Sequence, residues 1–314
     1  MLIWWFVMLG GLVLLATGAE GLVRGSSALA LRFGVTPLVV GLTVVAFGTG
    51  SPELFVSVQA ALKGESGIAL GNIVGSNISN VALILGLSAV ARPMKVRSEL
   101  IKREVPVMIA VTVGLCLLLL DGLLSRLEGL LLVIGSIAYT SLAYMAARRD
   151  RSALVAEEFK DALTEPRRAA WIDSLFVLMG FVFLLAGANL LLMGAVVVAQ
   201  QFGVSQVVIG LTIIAIGTSL PELATSVVAS VKREPDVAFG NVIGSNILNI
   251  LLILGVAALI RPIETQGLRV FDIGALVASA VILFPLMWRG WVLNRWEGAL
   301  LLAAYVAYLY SVVS

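Results

Sequence analysis

The sequence predicts an all-α integral membrane protein of ten transmembrane helices, built as two inverted five-helix repeats. Three observations lead there: an apolar composition, a duplicated segment, and basic residues gathered on one side. The 314-residue chain is 60% hydrophobic and 13% charged, with a mean hydropathy of +1.06. Soluble domains carry about twice that share of charge. The apolar runs can cross a bilayer of about 30 Å as helices of about 20 residues. None shows the roughly 10-residue alternation of a membrane barrel. Residues 41–93 and 210–262 are one segment written twice, at a constant offset of 169 residues and without a gap. Roughly half the aligned positions are identical, which marks an internal repeat.

The predicted spans are 2–22, 37–62, 68–90, 104–120, 127–147, 171–198, 206–230, 237–259, 270–288 and 294–312. The first lacks a basic leader and runs into Glu20, so it reads as a helix and not as a cleaved signal peptide. The first and sixth carry glycines seven apart, Gly11, Gly18 and Gly25 matched by Gly180, Gly187 and Gly194. Such glycines lie on one helical face. They read as close packing against a neighbouring helix, or as a smooth face along which these spans slide. The second and third spans hold one copy of the duplicated segment, and the seventh and eighth hold the other. RLEG at 126–129 and RWEG at 295–298 open spans five and ten and read as interfacial anchors.

The domain division follows: 1–147 forms the first repeat, 148–170 a polar cytoplasmic linker, and 171–314 the second repeat. With the N-terminus outside, the inner side receives Arg24, Arg32, Arg92, Lys95, Arg97, Lys102, Arg103, six linker residues, Lys232, Arg233, Arg289 and Arg295. The outer side receives Lys63, Arg126, Arg261 and Arg269. That is the positive-inside asymmetry, and it puts both termini outside a cell (inner) membrane. An odd number of spans per half makes the duplication inverted, a plan shared by many secondary transporters with a midplane site.

The repeat preserves polar positions best. Thr49, Pro52, Glu53, Asn72, Ser76, Asn77 and Asn80 are matched by Thr218, Pro221, Glu222, Asn241, Ser245, Asn246 and Asn249. An acid in mid-span costs at least about 2.5–3.5 kcal/mol and marks a functional candidate. The plain alternative, a protonated Glu bonded to a neighbouring helix, does not explain why both copies keep it in the same setting. Pro52 and Pro221 withdraw an N–H from the ladder, and broken backbone at membrane depth is tolerated where it lines a cavity. Thr49 lies four residues before Glu53, as Thr218 does before Glu222. Asn72, Ser76 and Asn80 form a stripe at spacing four, as do Asn241, Ser245 and Asn249. Such stripes also serve interhelical hydrogen bonding. The donor set is all oxygen, which suits hard cations such as Ca²⁺, or several Na⁺ in the same cavity.

Other classes fit poorly. The chain has no histidine and a single cysteine, Cys116, so proton shuttling by imidazole, a Cys/His metal centre and an intrachain disulfide are excluded. It shows no GxSxG or phosphate loop, so no catalytic residue, cofactor or enzyme activity is expected. A net charge of +2 gives no reason to expect nucleic acid. A passive channel often places a ring of acids from several subunits around a pore; two acids in one inverted repeat fit an occluding site, compatible with a functional monomer.

GTGSPE (48–53) with GNIVGSNISN (71–80), and GTSLPE (217–222) with GNVIGSNILN (240–249), resemble the two α-repeats of the calcium:cation antiporter superfamily, in particular its prokaryotic sodium/calcium exchanger branch. The resemblance covers both halves. It implies a core of spans two, three, seven and eight, with spans one and six sliding across it. It implies a central calcium site from Glu53, Glu222 and the Thr49 and Thr218 carbonyls. It further implies sodium sites from the Ala46 and Ala215 carbonyls with Thr49, Ser76, Thr218, Ser219 and Ser245, and Asn80 and Asn249 lining the centre. The expected cargo is Ca²⁺ against Na⁺, or H⁺ as the alternative. Gly50 stands where the second repeat has Ser219, leaving one sodium site short of a hydroxyl. Asn249 stands where many relatives carry Asp, which argues against potassium dependence.

Overall fold

The computed structural model describes residues 2–33, 35–150, 169–203, 215–265, 268–288 and 290–313. In chain order its helices are α1 (Leu2–Phe33), α2 (Pro37–Thr49 continued as Ser51–Lys63), α3 (Ser66–Ala91), α4 (Leu100–Asp121) and α5 (Arg126–Asp150). The second half supplies α6 (Ala170–Gln201), α7 (Ala215–Thr218 continued as Leu220–Val231), α8 (Pro235–Ile260), α9 (Val270–Trp288) and α10 (Arg295–Val313). These correspond to the ten predicted spans. The start of the seventh, at 206–214, and most of the linker, at 151–168, lie outside the described residues. Among the described residues seven helices are long and apolar enough to cross a membrane alone, and α2, bent by 47°, makes an eighth.

α1 runs to Phe33, well past its predicted end at residue 22. Its charged end is accommodated by partners: Glu20 meets both Arg24 and Lys232, and Arg32 pairs with Asp173 at 2.9 Å. Arg97 pairs with Asp236, and Arg92 donates to the Val231 carbonyl. These contacts gather Arg24, Arg32, Arg92, Arg97 and Lys232 at one end of the bundle, as the charge asymmetry requires.

The two halves are related by inversion. In the α1–α6 pair, a Cβ built on Gly11 would stand 2.8 Å from the Gly187 oxygen, and one on Gly18 2.9 Å from the Gly180 oxygen. One on Gly25 would stand 2.9 Å from the Asp173 oxygen. Positions rise along α1 as they fall along α6, so the helices are antiparallel and touch backbone to backbone. The glycine faces are thus turned on each other, which is the close-packing reading of their spacing.

Short ladders repeat the symmetry. β1 (Met94–Lys95) and β2 (Leu123–Leu124) precede β3 (Ile263–Glu264) and β4 (Val292–Leu293) in the chain. β1 pairs with β4 and β2 with β3, both antiparallel, and the 169-residue offset carries the Met94–Leu293 pair onto Ile263–Leu124.

The RLEG and RWEG motifs serve as helix starts. Ser125 N–H donates to Glu128 Oε2 at 2.7 Å, and Asn294 N–H to Glu297 Oε2 at 2.8 Å. Glu128 N–H and Glu297 N–H answer to Ser125 Oγ and Asn294 Oδ1. These are reciprocal caps for α5 and α10. Their glycines, Gly129 and Gly298, pack against the backbones of Gly255 and Gly86.

The centre belongs to α3 and α8. Each is 78% buried across its span, against 22–33% for the other long spanning helices. Their polar stripes therefore face protein and not lipid. Replacing Gly18 or Gly187 with Leu should wedge α1 from α6, at about 1–3 kcal/mol each. The expected result is a lower melting temperature of the detergent-purified protein; an unchanged melting curve would show that this pair yields without cost.

Candidate functional site

Each duplicated motif folds into a helix break set against a polar stripe. α2 stops at Gly50 (φ −75°, ψ 5°) and α7 at Ser219 (φ −88°, ψ 9°), the same backbone conformation at equivalent positions. Pro52 and Pro221 sit in the first turn of the restarted helix, where a missing N–H costs nothing. The restart places Glu53 and Glu222 in that first turn, where the positive end of the helix dipole favours a carboxylate. Both side chains are 1% exposed.

Each acid has a hydroxyl of the opposite repeat beside it. Ser219 Oγ donates to Glu53 Oε1 at 3.0 Å and lies 3.4 Å from Ser76 Oγ. Thr218 and Ser76 are also in hydrogen-bonding reach of the Glu53 carboxylate, and Thr49 of the Glu222 carboxylate. Thr49 Oγ1 lies 2.9 Å from Asn241 Oδ1 and 3.0 Å from the Val45 oxygen. The two acids are close enough for their charges to interact. Among the described residues neither has an ion-pair partner.

The asparagines divide into two groups. Asn72 Nδ2 donates to the Glu53 carbonyl at 3.2 Å and to Ser57 Oγ at 3.0 Å. Asn241 Nδ2 does the same to the Glu222 carbonyl (3.3 Å) and Ser226 Oγ (3.0 Å). These two stitch the stripe to the acid-bearing helix. Asn80 and Asn249 each open a π-helical turn, Asn80–Leu85 and Asn249–Leu254, of the kind often found at functional sites. Asn80 Nδ2 donates to Asn246 Oδ1 at 3.0 Å, and Asn249 Nδ2 to Asn77 Oδ1 at 2.9 Å. Asn77 and Asn246 close the network by donating to each other's backbone carbonyls, at 3.1 and 3.3 Å.

That network orients the central amides. With both NH₂ groups engaged, the oxygens of Asn80 and Asn249 are left over. Glu53 Oε2, Glu222 Oε2, Asn80 Oδ1 and Asn249 Oδ1 are all buried and without a hydrogen-bond partner, as is the hydroxyl of Ser245. An uncompensated buried acceptor costs about 1–3 kcal/mol, more when charged. Four buried acceptors without a donor, one from each carboxylate and one from each central amide, have the chemistry that suits a cation. Among the described residues no cluster of three or more Cys, Asp or Glu exists, so the remaining ligands would be neutral oxygens.

Of the other expected ligands, Ala46 is buried and its carbonyl accepts the Gly50 N–H at 3.0 Å. Ala215 opens the described part of α7. Sequence reasoning did not assign roles to Asn77, Asn246, Ser57 and Ser226. Their signal was present in the repeat: both copies read GSN, and Ser57 and Ser226 stand four residues after the acids.

Replacing Asn246 with Ala removes the acceptor for Asn80 and a donor to the Asn77 carbonyl. The expected cost is about 1–3 kcal/mol of stability, read as a lower melting temperature in detergent; Asn77→Ala should match it through the symmetric contacts. A variant melting like wild type would mean that water replaces these bonds.

The family model described as "Sodium/calcium exchanger protein" matches residues 3–145 and 173–313, one block on each repeat. The chain is 40% identical over its whole length to the putative antiporter CaxA of Alkalimonas amylolytica, of which it covers 100%. It is 34% identical to the sodium/calcium exchanger MaX1 of Methanosarcina acetivorans, with 96% of each chain covered. A solved structure of the sodium-calcium exchanger NCX_Mj superposes with a TM-score of 0.86 at 32% identity, covering 99% of both chains. With two motif-bearing repeats, an inverted ten-helix fold and a buried polar centre, the chain belongs to the sodium/calcium exchanger family of cation antiporters.

Proposed function

We propose that this protein exchanges Ca²⁺ for Na⁺ by alternating access, with both ions competing for one midplane site. The observation that carries the reading is the set of four partnerless buried oxygens, Glu53 Oε2, Glu222 Oε2, Asn80 Oδ1 and Asn249 Oδ1. Carboxylate and amide oxygens of this kind, completed by backbone carbonyls, suit the six to eight oxygen ligands that Ca²⁺ takes. Two carboxylates neutralise one Ca²⁺. The flanking hydroxyls of Thr49, Thr218, Ser76, Ser219 and Ser245 suit Na⁺, a weaker-field ion that accepts neutral oxygens.

Competition for the carboxylates gives coupling. The empty site holds two buried negative charges, which oppose the transition until either ion set is bound. Exchange of one Ca²⁺ for three Na⁺ would move net charge and respond to membrane potential. In the cell the protein would lie in the inner membrane with both termini outside, an orientation supported by the basic residues gathered at one end of the bundle; the relative YrbG of Escherichia coli is named an inner membrane protein.

An imposed Na⁺ gradient should drive ⁴⁵Ca²⁺ uptake into proteoliposomes. Uptake that ignores Na⁺ and follows a pH gradient would make the protein a proton-coupled exchanger, the reading that Gly50 favours by removing one hydroxyl ligand. Glu53→Gln and Glu222→Gln should each abolish uptake while the variants still elute as folded protein. Wild-type calcium affinity in either would remove the acids from the site.

A further inference from the structure

We propose that Gly50 makes the two flanks of the site unequal, so that the monovalent cation beside Glu222 keeps a water molecule where the one beside Glu53 uses a protein hydroxyl. The proposal rests on the exchange reading above and deepens it.

The argument comes from the protein's own symmetry. On one flank stand Ser219, Glu53 and Ser76, joined by contacts of 3.0 and 3.4 Å through the Ser219 hydroxyl. The 169-residue offset carries these three onto Gly50, Glu222 and Ser245. There the joining hydroxyl is missing. Glu222 Oε2 and Ser245 Oγ are both buried and partnerless, each in a side chain 1% exposed.

The atoms nearest to a Cβ built on Gly50 would be the Ala46 oxygen at 3.1 Å, Ile253 Cδ1 at 3.7 Å and Asn249 Oδ1 at 3.8 Å. Ser51 does not substitute for the missing group: its hydroxyl lies 3.4 Å from the Phe47 carbonyl and lines a separate cavity with Phe47, Thr140 and Phe181. The position is thus bordered by the Ala46 carbonyl and the Asn249 amide oxygen, and the 169-residue offset sets the Glu222 carboxylate and the Ser245 hydroxyl about it as Glu53 and Ser76 stand about Ser219 Oγ. A buried water needs about two to four polar partners, and these supply them. A cation bound there would coordinate this water at the position that Ser219 Oγ holds on the other flank.

The backbone does not demand glycine. Gly50 and Ser219 share one conformation, with φ negative at both. A serine at 50 therefore needs only a shift of the Ala46 carbonyl by a few tenths of an ångström. The residue is read here as setting sodium affinity and not as a structural necessity.

Competition by Na⁺ against ⁴⁵Ca²⁺ binding to the purified protein tests this with Gly50→Ser, Gly50→Ala and Ser219→Gly. Gly50→Ser supplies the hydroxyl, so half-displacement should need about fivefold less Na⁺, the size of one modest hydrogen bond. Gly50→Ala displaces the water without replacing its oxygen, so it should need more Na⁺ than wild type. Ser219→Gly should also need more. Calcium affinity without sodium should change little in the two Gly50 variants. Equal half-displacement in wild type, Gly50→Ser and Gly50→Ala would overturn the proposal, as would an unaltered Ser219→Gly if the serine variant does not fold. Failure of Na⁺ to displace Ca²⁺ from wild type is a different result: it removes the exchange reading and the proposal with it.

Discussion

Two carboxylates buried at the middle of the bundle, without a basic side chain to pair them among the described residues, set the terms for the rest of this structure. Taking an unpaired charge out of water is costly enough that the protein must supply compensation. It does so in part with dipoles and neutral oxygen neighbours. Glu53 and Glu222 each sit in the first turn of a restarted helix, facing hydroxyls contributed by the other repeat. The broken helices, the prolines and the central asparagines all follow from holding this pair in place.

The division of labour among the asparagines shows how a polar centre is built inside a membrane without loose ends. Asn72 and Asn241 tie each stripe to the helix carrying its acid. Asn77 and Asn246 tie the repeats together and hold the amides of Asn249 and Asn80. Only after these bonds are made do two amide oxygens remain for an ion. The outer helices solve a different problem. α1 and α6 meet through glycines and through the Arg32–Asp173 ion pair, so their contact combines close backbone packing with one charged link.

Near-symmetry is the source of both function and difference. Inversion brings two equivalent motifs to one point from opposite sides. The β1–β4 and β2–β3 ladders, the caps of α5 and α10, and the Gly86–Gly298 and Gly129–Gly255 contacts all obey it. Departures from it therefore stand out. Gly50 opposite Ser219 is one, and it falls at the helix break before the buried acid and not on the periphery. A symmetric cradle gives equivalent flanks; a single missing hydroxyl is enough to distinguish them.

The sequence by itself determined the membrane class, the ten spans, the inversion and the two acids. Each of those rests on a signal local to a segment or repeated at a fixed offset: hydropathy, charge asymmetry, and a carboxylate kept twice in an apolar run. It also named Asn80 and Asn249, because both sit on a stripe of spacing four. Tertiary structure decided which polar atoms are left without a partner. Whether an asparagine offers its oxygen or its amide depends on a partner some 166 to 172 residues away, and no local pattern encodes that choice. The same holds for the glycine stripes, whose spacing announced a packed face but not that α1 would meet α6. It holds too for RLEG and RWEG, read as interfacial anchors that open spans five and ten, whose glutamates also close the caps of α5 and α10, since a cap is recognised by the hydrogen bonds it closes. Local chemistry chose the ligands, and the fold chose which of their atoms remain unpaired.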